Sequence, residues 1–169
     1  GLAGAAALAF APVASAQTTT LRFHQMLPPQ ATIPAKAIKP WAEKVEKESG
    51  GRIKVQLFPT MQLGGKPPEL FDQAKGGVVD LIWTVLGYTP GRFPKTEAFE
   101  LPFSSGLAEP ASRAFQEFVE KNAMDEFRGV HLLWMHVHDG ALYHFTSKQP
   151  KTLEDLKGLK IRAATRINA

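Results

Sequence analysis

Two hydrophobic patterns alternate along the first half of the chain. Around residues 21–24, apolar and polar side chains alternate, which predicts a half-buried strand that begins near Thr18. An apolar stripe at helical spacing comes next and stops at a pair of glycines, so we expect a helix there. Pro40 lies inside this stripe and either kinks the helix or lies just after its true start. The stripe consists of Ile38, Trp41, Ala42 and Val45, and the glycines are Gly50 and Gly51.

Two more strands with a short helix between them complete this unit. Residues 53–57 alternate again, and residues 78–85 are almost continuously apolar after Asp80, as expected of a strand buried on both faces. Between them, a double proline opens a helix near residue 67 and glycines close it near residue 76. Three strands separated by two helices predict right-handed βαβ crossovers and a largely parallel sheet, and therefore an α/β fold.

The second half of the chain begins with a loop rich in glycine and proline at residues 87–103. An amphipathic helix follows, with Phe115, Phe118 and Val119 on one face. The remaining patterns predict three short strands and one short helix. The strands are at residues 132–138, 141–146 and 159–163, and the helix is at residues 152–156 with Thr152 as its N-cap.

The composition is that of an ordinary folded domain. Hydrophobic residues make up 44% of the 169 positions and charged residues 21%, which excludes a disordered chain. There is no cysteine, so disulfide frameworks and thiol chemistry are excluded as well. The net charge of +4 comes from Lys and Arg that are interleaved with Glu, so nucleic acid is not a predicted partner. A basic protein does, however, attract anionic ligands.

Residues 1–16 have the pattern of a secretory signal peptide. They contain no charged residue, are rich in Ala, Leu and Val, and end in Ala14, Ser15 and Ala16, the small-x-small pattern that signal peptidase accepts. The stretch is shorter than the roughly 20 apolar residues that a helix needs to span a bilayer. We therefore expect export to the periplasm, with the charged start of the signal missing from this sequence.

The sequence lacks the motifs of common catalytic sites, and we predict neither an enzyme nor a cofactor. No nucleophile elbow, phosphate-binding loop or zinc-protease motif is present. His136 and His138 share one face of a predicted strand and His144 is close in sequence, so a metal site is an alternative. Because no third ligand stands at a diagnostic spacing, ordinary structural histidines are the favoured interpretation.

Polar and aromatic side chains follow the ends of two predicted strands. In a parallel α/β sheet, ligands gather at the carboxyl ends of the strands. Trp83 and Thr84 lie near such an end, Tyr88 is in the loop just beyond, and His24 stands with Gln25 at the end of the first strand. Trp83 could equally well fill the core, whereas Tyr88, in a Gly/Pro loop, favours a ligand contact.

Arg162 is the most specific single candidate. It belongs to the apolar strand predicted at residues 159–163, which should be substantially buried. A buried guanidinium needs a partner, and its planar set of donors matches a carboxylate. From the residues alone, a carboxylate ligand and a structural ion pair to Asp or Glu explain Arg162 equally well.

The order of several short motifs resembles the front part of the solute receptors of tripartite ATP-independent periplasmic (TRAP) transporters. The resemblance extends from Thr18 to Arg162, and it rests on the order of the motifs rather than on any one of them. The motifs are LRF at 21–23, PWAEKV at 40–45, GRIKV at 51–55, FPTMQLG at 58–64, GVVD at 77–80, FELPF at 99–103 and LKGLKIR at 156–162.

This resemblance implies a two-lobed α/β fold, like that of periplasmic binding proteins, that closes on a small organic acid and delivers it to TRAP-type membrane permease subunits. It also implies that Arg162 binds the ligand carboxylate and that Thr165 provides a polar contact. Many relatives have a second arginine where this chain has Leu142, so His144 or Tyr143 would have to take its place. A monocarboxylate with a less polar remainder is therefore favoured.

These observations divide the chain into a signal peptide at residues 1–16, a first α/β lobe at 17–138 and the truncated start of a second lobe at 139–169. The alternatives are the binding protein of an ATP-driven transporter, an exported enzyme with His136 or His144 as general base, and the extracytoplasmic domain of a sensor. The predicted ligand-binding residues are Arg162, Trp83, Tyr88, Thr84, His24, Thr165 and His144.

Overall fold

The computed structural model describes residues 17–101, 104, 106–140, 142–146 and 149–165. The predicted signal peptide at residues 1–16 lies outside these described residues. None of the described helices has the length and hydrophobicity needed to cross a membrane.

A three-stranded parallel sheet forms the centre of the first half of the chain. It consists of β1 (Thr19–Gln25), β2 (Ile53–Phe58) and β3 (Leu81–Trp83) in the order β2-β1-β3. Both neighbours run parallel to β1, which confirms the predicted parallel sheet. The third strand is shorter than the predicted residues 78–85, because the backbone before it bonds elsewhere. The Val78 and Val79 N–H groups both donate to the Gln73 carbonyl, at 2.9 and 3.4 Å.

Three α-helices follow the predicted pattern. The first, α1 (Lys39–Glu48), continues directly from a π-helical turn at Pro34–Ile38, so Pro40 lies in its first turn, where a missing N–H is tolerated. The second, α2 (Leu70–Lys75), follows a 3-10 turn at Pro67–Glu69. The third, α3 (Ala108–Asn122), is the amphipathic helix, and it buries Phe115 and Val119.

The main hydrophobic core lies between α2, α3 and the segment that was predicted as a loop at residues 87–103. That segment contains two 3-10 turns, Leu86–Tyr88 and Thr96–Glu100, and supplies the completely buried Phe93. The ring of Phe93 lies 5.0 Å from that of Phe71 and 5.4 Å from that of Phe127, measured between centroids. The buried members of this core are Phe71, Phe93, Phe115, Val119, Ala123 and Phe127.

The strands predicted at residues 132–138, 141–146 and 159–163 are wrong, because the described residues of these segments contain no strand. At residues 135–137 the backbone bonds to side chains of α3 instead of to a neighbouring strand. The Met135 N–H donates to Gln116 Oε1 at 2.6 Å, and the Val137 N–H donates to Ser112 Oγ at 3.0 Å. The division of the chain into lobes after residue 138 stays a prediction.

The helix predicted at residues 152–156 is present as a short 3-10 turn, Glu154–Leu156. The N-cap of this turn is Leu153 and not the predicted Thr152. Thr152 Oγ1 nevertheless accepts a hydrogen bond from the Asp155 N–H at 3.3 Å, and the Asp155 carboxylate accepts one from the Thr152 N–H in return. This reciprocal pair resembles a capping box that begins one residue before the N-cap.

An ion pair between α2 and the following loop should make stability depend on acid pH. Arg92 donates two hydrogen bonds to Asp72 at 2.8 and 2.6 Å and lies over the Phe71 ring. Hydrogen bonding to Arg92 lowers the pKa of Asp72 below its ordinary value. A carboxyl with a lowered pKa stabilises the fold above its unfolded pKa of about 3.9, and this stability is lost as the pH falls through the folded value.

We therefore expect Asp72→Asn to lower the unfolding midpoint at neutral pH, and the difference from wild type to shrink as the pH falls from about 5 towards 2. Urea unfolding at a series of pH values measures both quantities. A difference that stays constant over this range would show that the charge of Asp72 does not contribute.

Candidate functional site

The carboxyl ends of β1 and β3 meet at one edge of the sheet. Gln25, the last residue of β1, is paired with Trp83, the last residue of β3. Thr84 follows directly, and Tyr88 ends the 3-10 turn after it, so the three predicted residues of this region lie along one stretch of the chain and are all half-buried. Neither the Thr84 hydroxyl nor the Tyr88 phenol bonds to another described residue. Both groups therefore remain able to bond to a ligand.

The Trp83 indole is in contact with a segment more than fifty residues further along the chain. Its Nε1–H donates a hydrogen bond to His136 Nε2 at 2.9 Å, and the two ring planes are 19° apart. The His136 ring stacks on Trp134 with 4.7 Å between centroids. Trp83, His136 and Trp134 thus form a continuous group of rings, which we name the aromatic stack.

Burial keeps His136 in the neutral form that this hydrogen bond requires. The hydrogen bond needs an unprotonated Nε2, since only that form accepts. Desolvation lowers the pKa of His136, the nearby His138 lowers it further, and a hydrogen bond at the Val137 backbone opposes them. The nitrogen that a metal or a general-base mechanism would use is therefore engaged by Trp83. Among the described residues, no group of three His, Asp or Glu side chains is arranged to hold a metal ion.

His24 is held inside the protein rather than at a surface that a ligand could reach. Its side chain is completely buried, Nδ1 is 2.8 Å from Gln73 Oε1, and Nε2 accepts a hydrogen bond from the Leu63 N–H at 3.3 Å. Since Nε2 accepts, the proton lies on Nδ1 and is donated to Gln73. Both ring nitrogens are thus occupied, and His24 fixes the turn after β2 to α2.

Gln25, at the end of the same strand, is likewise engaged. Its amide donates to the Leu27 carbonyl at 2.7 Å and accepts from the Leu27 N–H. The end of β1 is therefore a rigid part of the sheet edge.

Glu100 is a half-buried acidic residue that the sequence did not single out. Its carboxylate lies so close to Gly87, in the 3-10 turn Leu86–Tyr88, that a Cβ at that position would require the Glu100 side chain to move. In the part of the chain that the structure describes, Oε2 of Glu100 is buried without a hydrogen-bond partner. The pairing of Gly87 with Glu100 joins this turn to the 3-10 turn at Thr96–Glu100.

Arg162, Thr165 and His144 belong to the irregular segment after residue 140. The predicted burial of Arg162 is wrong, because residues 159–163 form no strand and the side chain is exposed. Arg162 makes no ion pair with any described residue, so its five donors are available to a ligand. Thr165 is 9% exposed, and His144 is exposed. No hydrogen bond or ring contact between described residues joins Arg162 or His144 to Trp83.

The chain matches the family model of the bacterial extracellular solute-binding proteins, family 7 (DctP), over residues 23–168. It is 35% identical over 127 residues to the uncharacterized protein YiiZ of Salmonella typhimurium, and 30% identical over 166 residues to TsaT, named an outer membrane transporter protein, of Comamonas testosteroni. These matches cover 71% and 96% of this chain but only 37% and 48% of the two relatives.

Solved structures of TRAP solute-binding proteins resemble this chain in fold and sequence. One from Rhodoferax ferrireducens, in complex with copurified benzoate, has a TM-score of 0.84 and 52% identity, over 88% of this chain and 46% of its own. A marine metagenome protein specific for aromatic acid ligands, with 3-hydroxybenzoate, has a TM-score of 0.81 and 48% identity, over 84% and 44%. This chain spans less than half the length of each of these relatives. The similarities confirm the predicted α/β fold class.

Proposed function

Because the chain belongs to family 7 of the bacterial extracellular solute-binding proteins, we propose that it is part of a periplasmic receptor that binds a small aromatic monocarboxylate. The observation that carries this proposal is the half-buried Trp83 at the carboxyl edge of the parallel sheet, where an α/β fold binds its ligands. The two similar TRAP proteins with benzoate and 3-hydroxybenzoate support an aromatic acid as the ligand class.

In the proposed binding mode, the carboxylate pairs with the Arg162 guanidinium, whose two parallel N–H groups match its oxygens. The ring of the ligand packs on Trp83 and Tyr88, and the free hydroxyl groups of Thr84 and Tyr88 supply hydrogen bonds. We also propose that Thr165 and His144 make further polar contacts with the ligand from the second lobe. His24 has no place in this binding mode, since both of its ring nitrogens are bonded within the protein.

Leu142 supports a ligand with a single charged end. Many of the TRAP solute receptors that this chain resembles have a second arginine at the position of Leu142. Leu142 itself is 80% exposed. An apolar side chain cannot pair with a second carboxylate, and it would contact an apolar ring instead. We therefore propose benzoate-like acids rather than dicarboxylates.

The receptor would act by binding without chemistry. A ligand that contacts both lobes only in the closed form shifts the population towards closure, and the closed form would then deliver the acid to TRAP-type permease subunits. The similar solved structures are TRAP receptors, which favours this transporter class over an ATP-driven one. Export through the segment at residues 1–16 and the two-lobe division after residue 138 are parts of the same proposal.

Benzoate should raise the unfolding temperature of the full-length protein by several degrees. A ligand present at 100 times its Kd stabilises the native state by about 2.7 kcal/mol, and each kcal/mol raises the midpoint by about 2–4 °C in a protein of 150–250 residues and by less in a longer one. A thermal-shift screen that contains benzoate, 3-hydroxybenzoate, succinate and glucose tests the proposal. Stabilisation by succinate but by neither aromatic acid would contradict it.

A further inference from the structure

We infer that His136 is a positioning residue for the ligand-binding face of Trp83: it holds the indole in place and removes the indole N–H from the surface offered to the ligand. This inference rests on the proposed function, in which the Trp83 ring forms one wall of the ligand site. It assigns to His136 a role in selecting the ligand, whereas the sequence favoured an ordinary structural histidine and left a metal ligand or a general base as alternatives.

The first step concerns the hydrogen-bonding capacity of Trp83. An indole has one donor and no acceptor, and Trp83 uses that donor on His136 Nε2 at 2.9 Å. What remains is an entirely apolar ring surface. A ligand that covers this surface of Trp83 leaves no buried donor unsatisfied. The surface therefore favours a ligand with an apolar ring over one whose carbon skeleton carries hydroxyl groups.

The second step concerns what holds His136. Its ring stacks on Trp134 with 4.7 Å between centroids, and its Nε2 accepts the hydrogen bond from Trp83. The flanking residues Met135 and Val137 are tied to α3 through their backbone N–H groups and pack against the hydrophobic core. The imidazole is therefore fixed both by its neighbours in the aromatic stack and by the backbone on either side.

The third step is the consequence of losing the acceptor. Without His136 Nε2, the Trp83 N–H must find water or turn towards the ligand site, because an unsatisfied buried donor is costly. Either change alters the surface that the aromatic ring of the ligand contacts. Affinity for an aromatic acid should then fall even when the fold is intact.

Two substitutions test the hydrogen-bond acceptor and the aromatic ring of His136 separately. His136→Gln keeps an acceptor near the position of Nε2 without a ring, and His136→Phe keeps the ring that stacks on Trp134 without an acceptor. His138→Gln is the matched control, since His138 is exposed and, among the described residues, its ring bonds only to the neighbouring Asp139 carbonyl. Each variant is made in the full-length protein, and the Kd for benzoate is measured by titration calorimetry.

We expect His136→Phe to weaken benzoate binding about tenfold, and His136→Gln and His138→Gln to stay within about threefold of wild type. A second readout is the ¹H–¹⁵N resonance of the Trp83 indole, assigned by its loss in Trp83→Phe. Its exchange with solvent should become at least tenfold faster in His136→Phe and remain slow in His136→Gln. A purely structural role of the ring would not separate the two variants in this way.

The inference is overturned if His136→Phe binds benzoate as wild type does, or if His136→Gln is impaired as much as His136→Phe. Failure of the proposed function has a different signature: wild type itself would not bind benzoate. In that case the indole resonance still reports whether His136 holds Trp83, and equal exchange in all variants would overturn the inference independently.

Discussion

Replacing Arg162 with alanine in the full-length protein is expected to weaken benzoate binding about 100-fold, a loss of about 2.7 kcal/mol. Arg162 is exposed and makes no ion pair with any described residue, so no internal carboxylate would be left unpaired by its removal. The loss of affinity should therefore come from the ligand carboxylate alone. Without Arg162, this carboxylate loses a bidentate, charge-assisted hydrogen bond. The measurement is the Kd for benzoate by titration calorimetry.

Two variants control for charge and for geometry. Lys160→Ala removes the same charge from an exposed side chain two residues away, and we expect it to change the Kd less than threefold. Arg162→Lys keeps the charge but not the planar donors, so binding should be intermediate. If Lys160→Ala and Arg162→Ala reduce affinity equally, the effect is the general attraction of a basic surface, and Arg162 is not the residue that binds the carboxylate.

The parallel sheet could be predicted because its signals are local. The alternation in β1 and β2 and the helical stripe of α1 each lie within a dozen residues, and the chain between the two strands is easily long enough for a crossover. The same reasoning failed at residues 132–138. Alternation predicts an extended, half-buried segment, but it does not say whether the backbone pairs with a strand or, as at Met135 and Val137, with side chains of a helix.

In the candidate site, too, the local features could be predicted from the sequence and the long-range contacts could not. The position of Trp83 at the carboxyl end of a strand was predictable from its place in an apolar run. Its hydrogen bond to His136 was not, since the two residues are 53 positions apart and only the fold brings them together. The spacing of Trp134 and His136, two positions apart, was the one available signal, because it predicts a shared face.

His24 shows that the position of a residue and its hydrogen-bond partners can favour different roles. It does lie at the carboxyl end of β1, where ligands bind in this class of fold. A sequence does not reveal that Gln73, from α2, and the Leu63 N–H fill both ring nitrogens. Position therefore identified the edge of the sheet, whereas the hydrogen-bond partners decide which of its residues can face a ligand.

Phe93→Ala is expected to destabilise the full-length protein by about 3–5 kcal/mol, the largest effect on stability among the described residues that we consider. Phe93 is completely buried between Phe71 and Phe127, whose rings lie 5.0 and 5.4 Å from its own. Truncation removes the transfer free energy of the ring and leaves a cavity between aromatic neighbours that cannot close it without moving α2. Urea unfolding with linear extrapolation measures the change.

The comparison with Val78→Ala makes this result specific. Val78 is 55% exposed, so its truncation should stay within about 0.5 kcal/mol of wild type. A cost below about 1 kcal/mol for Phe93→Ala would contradict the packing of Phe93 between Phe71 and Phe127. A large cost means that Phe93 anchors this segment in the core, against which Leu86 and Phe99 of the same region also pack.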